Sequence, residues 1–416
     1  MSLEMLFNDP SAAQTGPPEL LDHGLNEFFP ELLKFGSTAD LAGSPLVEKI
    51  RLEAERILNA VVVSGSRTAA GPLRDPAGSD DRDHVRNIRA LAWNIERGCV
   101  FEGIVHALNT HPNLRDKDVL LLTELDHGMA RSGNRFVAGE IAERLGLNYA
   151  FAPVYIALQK GSGVEATVEG ENTLSIHGLA TFSKWPMRNV HAVPLPNGKD
   201  KMWGKEKRLG FLRALIADIE HPAGTFRAVT THLDVHCSRE HRRLQVRKIL
   251  EHLETLDPLP TLIGGDWNTT TFNAQSSTRA ILGYWRRVMM GVKNVVNNHY
   301  PHPDRYFERG LFGELTSRGY DYESLNEIGV GTLHYDVASI EKNTNLRDWV
   351  PEWCFPFIFW AANRVGGRVS VRLDWFAGRS LKPVPGSPPK TIGGLVNEQG
   401  TPLSDHDAIV VDVSFD

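Results

Sequence analysis

Short apolar runs that end in polar side chains constrain this chain more than any other feature. Four share the form: LAWNIERG at 91–98, LLTELD at 121–126, TTHLDVH at 230–236 and GGDWNT at 264–269. RLDWF at 372–376 and SDHD at 404–407 follow, the latter just before an apolar segment at 408–414. Apolar runs of four to eight residues fit strands buried on both faces, and 119–122 is the clearest of them. Strands that each deliver Asn, Glu, Asp or His at one end predict a single polar site gathered from across the chain. Its candidate members are Asn94, Glu96, Glu124, His232, Asp266, Asn268, Asp374, Asp405 and His406.

Between the strands lie helical stripes. Val47, Ile50, Ala54, Ile57, Leu58 and Val61 recur at helical spacing and predict a helix over 46–63. Ile104, Val105 and Leu108 predict a short one, and 134–145 carries Val137, Ile141 and Leu145 in a stripe. Ser238 is placed to cap a helix running to about Leu256, with Leu244, Ile249, Leu250 and Leu253 inward. Further strands are expected at 88–93, 178–183, 212–219, 225–231, 261–265 and 369–377. The pair 212–219 and 225–231, joined through Pro222 and Gly224, must be antiparallel. Alternating strands and helices with antiparallel pairs argue for a mixed α/β or α+β sandwich.

Residues 1–87 lack the polar motifs and are too short for a good core alone, so they are expected to pack on a main domain at 88–416. The stretch 64–87, rich in Gly, Ser, Asp and Arg, reads as a linker. Residues 284–370 also lack the motifs and read as a long insertion or a set of long loops. Their aromatic run, Trp349 to Trp360, either completes the core or walls a substrate groove.

With 45 basic against 51 acidic residues and a net charge of −6, the chain as a whole has no attraction for polyanions, although a local basic patch can supply one. Its three cysteines are too far apart for a disulfide framework. No apolar stretch reaches membrane-spanning length, so stable membrane insertion is not expected. A reducing cytoplasmic setting is the expectation that follows from these features. Oligomeric state is not legible.

The chemistry follows from the residue types. Two carboxylates about 4 Å apart repel by roughly 4 kcal/mol at an effective dielectric near 20. A divalent cation relieves this, and oxygen donors of this kind suit Mg²⁺ or Mn²⁺. Asp374 can fix the tautomer of His406, Asp266 with Asn268 can hold and deprotonate a water, and His232 can donate to an oxyanion. Together these make metal-assisted hydrolysis of a phosphoester. Residues two apart on an extended strand share a face, which would align Asn94 with Glu96 and Asp266 with Asn268. Arg131 follows Glu124 in a loop and is a candidate substrate contact. The histidines at 236, 241, 299 and 302 lack such a context.

The ordered set WNIE, LLLTE, THL, GDWN, LDW and SDH closely resembles the endonuclease/exonuclease/phosphatase (DNase I-like) superfamily, over roughly 88–275 and 370–413. The resemblance implies a four-layer sandwich of two mixed β-sheets flanked by helices, and a phosphodiesterase- or nuclease-like hydrolase. It implies that Glu124 is the principal metal carboxylate, with Glu96 and Asp405 on the metal side and Asn94 near metal and phosphate. His232 resembles the histidine on the scissile phosphate, Asp266 the water-activating aspartate and Asn268 a phosphate holder. Asp374 resembles the partner of the general histidine, His406. Nucleic acid, phospholipid head groups and small phosphates are all open as substrates. The family often has Gly-Asn-Ala where this chain has Gly178-Leu179-Ala180, and Asn172 is the candidate to replace the missing amide. The competing reading is a non-catalytic binding or scaffold protein that retains the fold.

Overall fold

A computed structural model describes residues 2–64, 86–204, 206–269, 273, 276–336, 353 and 355–416. The expected linker and the segment holding Trp349 lie largely outside them.

Among the described residues, seventeen strands form two large sheets and one small one. In chain order they are β1 (Thr15–Gly16), β2 (Val61–Val63), β3 (Ile88–Arg97), β4 (Val119–His127), β5 (Asn148–Ala157), β6 (Ile176–Ser183) and β7 (Met187–Pro194). Next come β8 (Arg208–Gly210), β9 (Arg213–His221), β10 (Gly224–Thr231), β11 (Thr261–Asp266), β12 (Leu333–Asp336) and β13 (Arg368–Val371). The last are β14 (Asp374–Arg379), β15 (Leu381–Pro383), β16 (Lys390–Ile392) and β17 (Ala408–Phe415). The larger sheet runs β1-β2-β5-β6-β4-β3-β17-β15, with β16 on β17 and β8 on β5; the second runs β14-β11-β10-β9-β7, and β12 pairs with β13. Parallel pairs β3–β4 and β10–β11 sit among antiparallel ones, so both large sheets are mixed.

Strand alternation sorts the apolar side chains into layers. Leu91, Trp93 and Ile95 of β3, and Leu120 and Leu122 of β4, face helices α1 (Leu46–Asn59), α2 (Phe101–Thr110) and α3 (Val137–Leu145). Ala90, Ala92, Val119 and Leu121 point the other way, onto Ile219, Phe226, Ala228, Leu262 and Phe376 of the second sheet. The far face of that sheet buries Ile216, Val229 and Ile263 with α4 (Arg239–Glu254) and α6 (Arg309–Ser317). The result is the expected four layers: helices, sheet, sheet, helices.

Several boundaries differ from the sequence reading. The helix expected over 46–63 stops at Asn59, and Val61–Val63 turns into β2, because its β-branched residues find a sheet edge at β5. The strand expected at 369–377 breaks at Arg372 and Leu373, leaving β13 and β14 in different sheets. Ser238 does cap α4, its hydroxyl accepting from the His241 amide, but Leu244 is exposed. Much of the described part of 284–370 is helical rather than a set of loops: α5 (Ser277–Met289) enters it, α6 packs on α4, and α7 (Phe355–Asn363) packs beside β13.

Candidate active site

Strand ends from both large sheets meet in one cleft. The β3, β4 and β17 ends bring Asn94, Glu96, Glu124, Asp405 and His406; the second sheet brings His232, Asp266, Asn268 and Asp374. Of these, Glu124, His232, Asp266, Asn268, Asp405 and His406 line the cleft. Asn94 ties the two sheets together: its Nδ2 donates to Glu124 Oε1 and to Asp266 Oδ2, both at 3.1 Å. Asp374 lies wholly buried behind His406 and accepts from Nδ1 at 2.8 Å, while His406 Nε2 stands 3.8 Å from Asp266 Oδ2. Burial opposes a charge on His406, but Asp374 and then Asp266 outweigh it and hold its pKa well above the usual value. On the other flank, His232 Nε2 is 3.7 Å from Asp266 Oδ2 and 2.9 Å from the side-chain Nδ2 of Asn268, which donates to the Leu233 carbonyl.

The convergence does not come from simple strand alternation. Glu96, Arg97, Glu124 and Asn268 all have positive φ, at 44°, 67°, 56° and 48°. Non-glycine residues there are uncommon and strained, and they cluster at functional sites. The β3–β4 register slips between Asn94 and Arg97, and the β4–β6 register slips between Leu122 and Leu125. Such bulges re-aim a side chain out of the sheet alternation. The Glu96 amide then donates to Asn94 Oδ1 and the Asn268 amide to Asp266 Oδ1, so each expected i, i+2 pair is locked by a turn, not by an extended strand.

Asp405 and His406 sit in a loop, as their adjacency requires. That loop is pinned to β3: Ser404 Oγ donates to the Asn94 carbonyl, the Asp405 amide to Glu96 Oε2 and Trp93 Nε1 to the His406 carbonyl. Burial and the neighbouring Asp405 and Glu124 push the Glu96 carboxyl up to about 8. Burial, with Glu124 and Asp266 beyond it, likewise raises Asp405. Glu124 goes the other way; burial would raise it, but Arg97, with Nε at 3.9 Å, and the nearby histidines hold it ionised. Crowded carboxylate oxygens with one arginine among them are a donor set that fits a hard divalent cation. Asp266, Asp374 and His406 also offer ligand atoms within 4.8 Å of one another. There, however, His406 Nδ1 and Asp374 Oδ2 already satisfy each other.

Two expectations fare differently. Arg131 lines the cleft, but its guanidinium is bidentate to Asp126 at 2.7 and 3.0 Å and also reaches Glu165 at 3.0 Å. Its charge is thus already matched by protein carboxylates at the wall of the cleft. Asn172 does not take the place of the missing Gly-Asn-Ala amide. Its side chain accepts from the Ala130 amide and donates to the Gln159 carbonyl, fastening two loops, and the cleft wall at that point is Leu179.

Sequence reasoning missed Arg97, His177, His236 and Tyr335, which all line the cleft. Arg97 stood inside the WNIERG motif and was legible there. His177 Nδ1 lies 2.8 Å from Asp126, and burial drives the His236 pKa down to about 3. Tyr335 comes from β12, where nothing in the sequence marked it.

The family model described as the endonuclease/exonuclease/phosphatase family matches residues 91–406. No curated protein matches the chain. Among solved structures, the chain is similar to an endonuclease/exonuclease/phosphatase from Beutenbergia cavernae at 17% identity, over 79% of this chain and 72% of that one, with a TM-score of 0.46. One from Bacteroides vulgatus gives 12% identity over 79% and 99% of the two chains, with a TM-score of 0.44. A 3′-5′ exonuclease from Neisseria meningitidis gives 13% over 79% and 100%, with a TM-score of 0.42. With its motifs in order and the match running from β3 to His406, the chain belongs to the endonuclease/exonuclease/phosphatase family.

Proposed function

We propose that the protein is a Mg²⁺- or Mn²⁺-dependent phosphodiesterase. The observation that carries this reading is the placement of Asp266, with His232 on one side, the Asp374–His406 pair on the other and Asn94 bridging it to Glu124. In this reading Glu124, Glu96 and Asp405 hold the cation, which supplies Lewis-acid neutralisation of charge on the phosphoryl oxygens. Asp266 orients a water and takes its proton as the water oxygen bonds to phosphorus and the ester oxygen departs. His406, kept cationic by Asp374, donates to a phosphoryl oxygen, and His232 with Asn268 holds another. Every principal group is present and aligned, which disfavours a scaffold that has lost its chemistry.

The test is a panel of DNA, RNA, sphingomyelin, inositol phosphates and a chromogenic phosphodiester, each with Mg²⁺, Mn²⁺ or EDTA. Metal-dependent hydrolysis of at least one phosphodiester is expected. Absence of EDTA-sensitive hydrolysis across the panel contradicts the reading.

A further inference from the structure

Two helices of the excursion after Asn268 invert the usual surface pattern, in which polar residues face water. On α5, Leu282, Trp285 and Met289 fall at i, i+3 and i+7 on one stripe and all face solvent, Met289 being 81% exposed. On α7, Phe357 and Trp360 do the same. The Trp285 and Phe357 rings meet edge to face with centroids 5.6 Å apart, and the Tyr284 hydroxyl donates to the Phe357 carbonyl at 2.6 Å. The two stripes therefore form one continuous surface.

Its rim is basic. Arg279, Arg286, Lys293, Arg364 and Arg368 are all exposed. Arg364 lies over the Trp360 ring at 4.1 Å from its centroid. Residues 267–303 and 353–373 together contain seven basic residues and no acidic one, in a chain whose net charge is −6; Arg287 and Arg372 are buried, and the other five are exposed. The positive charge is thus concentrated where the aromatics are exposed.

We propose that this face docks the protein peripherally on an anionic phospholipid surface, a role that goes beyond the phosphodiesterase reading and does not depend on it. Trp and Phe settle at the boundary between head groups and acyl chains, and Leu and Met gain an apolar phase. The arginines and lysine meet the negative surface potential of the leaflet. A second copy of the chain fits less well, because a two-fold contact would bring like-charged rims together. Nucleic acid would match the rim but leave Leu282 and Met289 without an apolar partner. The surface is also joined to the cleft: α7 leads into β13, which pairs with β12, and Leu333 and Tyr335 of β12 line the cleft wall.

The experiment is co-sedimentation of the full chain with phosphatidylcholine vesicles, with and without phosphatidylserine. Wild type is expected to pellet with the mixed vesicles and to be released by salt. The double substitution Trp285→Ser with Trp360→Ser is expected to weaken this at least about tenfold. Arg279→Glu with Arg286→Glu is expected to remove the preference for phosphatidylserine. Arg279 and Arg286 are exposed, so the charge variant should melt like wild type. The tryptophan variant loses the Trp285–Phe357 and Arg364–Trp360 contacts, so a wild-type circular dichroism spectrum and wild-type turnover of a small soluble phosphodiester are required of it before its vesicle binding is read. Failure of wild type to pellet with mixed vesicles overturns the proposal, as does equal binding by the double tryptophan variant. A dimer or a single-stranded DNA complex that the tryptophan variant abolishes, without vesicle binding, also overturns it. Sedimentation needs no turnover, so a failed hydrolysis panel leaves this result readable.

Discussion

Buried charge at Asp374 and His406 makes each residue depend on the other. Removing one partner of such a pair leaves the second uncompensated in a low-dielectric setting. The His406 pKa is raised in the folded protein, so the stabilisation it brings is fully present below its unfolded value near 6.5 and is lost as pH rises through the folded value. Asp374→Asn takes away the main cause of that rise. We therefore expect the alkaline limb of the pH–rate profile to move to lower pH in Asp374→Asn, with kcat down by about 10²–10⁴-fold at neutral pH. An unmoved limb would show that His406 does not act as the protonated group. The polar residues were legible because each ends an apolar run, where an unpaired carboxylate is costly. The positive φ at Glu96, Glu124 and Asn268 was not legible, because residue types alone carry no mark of a bulge.

Strand β11 shows how an element carries the site. Its residues 261–266 pair with β10 on one side and β14 on the other, and they bring Asp266 opposite Asp374. The approach depends on Gly265, which has φ of 133°; a Cβ there would lie 2.1 Å from the Thr231 carbonyl oxygen. Gly265→Ala should therefore lose about 2–4 kcal/mol in urea denaturation and depress turnover by displacing Asp266. A stability within about 0.5 kcal/mol of wild type would mean that β10 and β11 do not need this contact. Elements marked by a cap or by an unbroken apolar run were legible: α4 begins after Ser238 as expected, and β4 begins at the expected Val119, although it extends beyond residue 122 to His127. Elements decided by tertiary contacts were not. Val61 continues the stripe of α1 but belongs to a sheet edge, and 369–377 reads as one strand although Arg372 interrupts it, its side chain buried and donating to Glu327 and Val330 carbonyls.

At the scale of the molecule, the candidate site groups come from two sheets, so the site exists only when the sandwich is closed. Residues far outside the motifs contribute to that closure. The Arg213 guanidinium, buried in β9, donates to the carbonyls of Asn59, Ala60 and Pro153 and so joins the end of α1 to both large sheets. Burial with no carboxylate partner pulls its pKa down to about 9. The four layers were implied by the family resemblance that the ordered motifs carry, whereas the joining of residues 2–64 to the larger sheet through β1 and β2 was not. The excursion after Asn268 was legible only as a gap between motifs: its helices carry apolar stripes, but that of α6 turns to the core and that of α5 to solvent, and sequence alone does not say which.

Turnover of a chromogenic phosphodiester by wild type, Asp266→Asn and Glu124→Gln, across a Mn²⁺ titration, tests the central claim most directly. Wild type should turn over only with metal, and Asp266→Asn should lose about 10²–10⁴-fold at saturating Mn²⁺ while melting like wild type. Glu124→Gln should need more Mn²⁺ for both turnover and thermal stabilisation, because a ligand that binds only the native state stabilises it in proportion to its affinity. Metal-independent turnover by wild type, or near-wild-type turnover by folded Asp266→Asn, would contradict the assignment of this cleft as the hydrolytic centre.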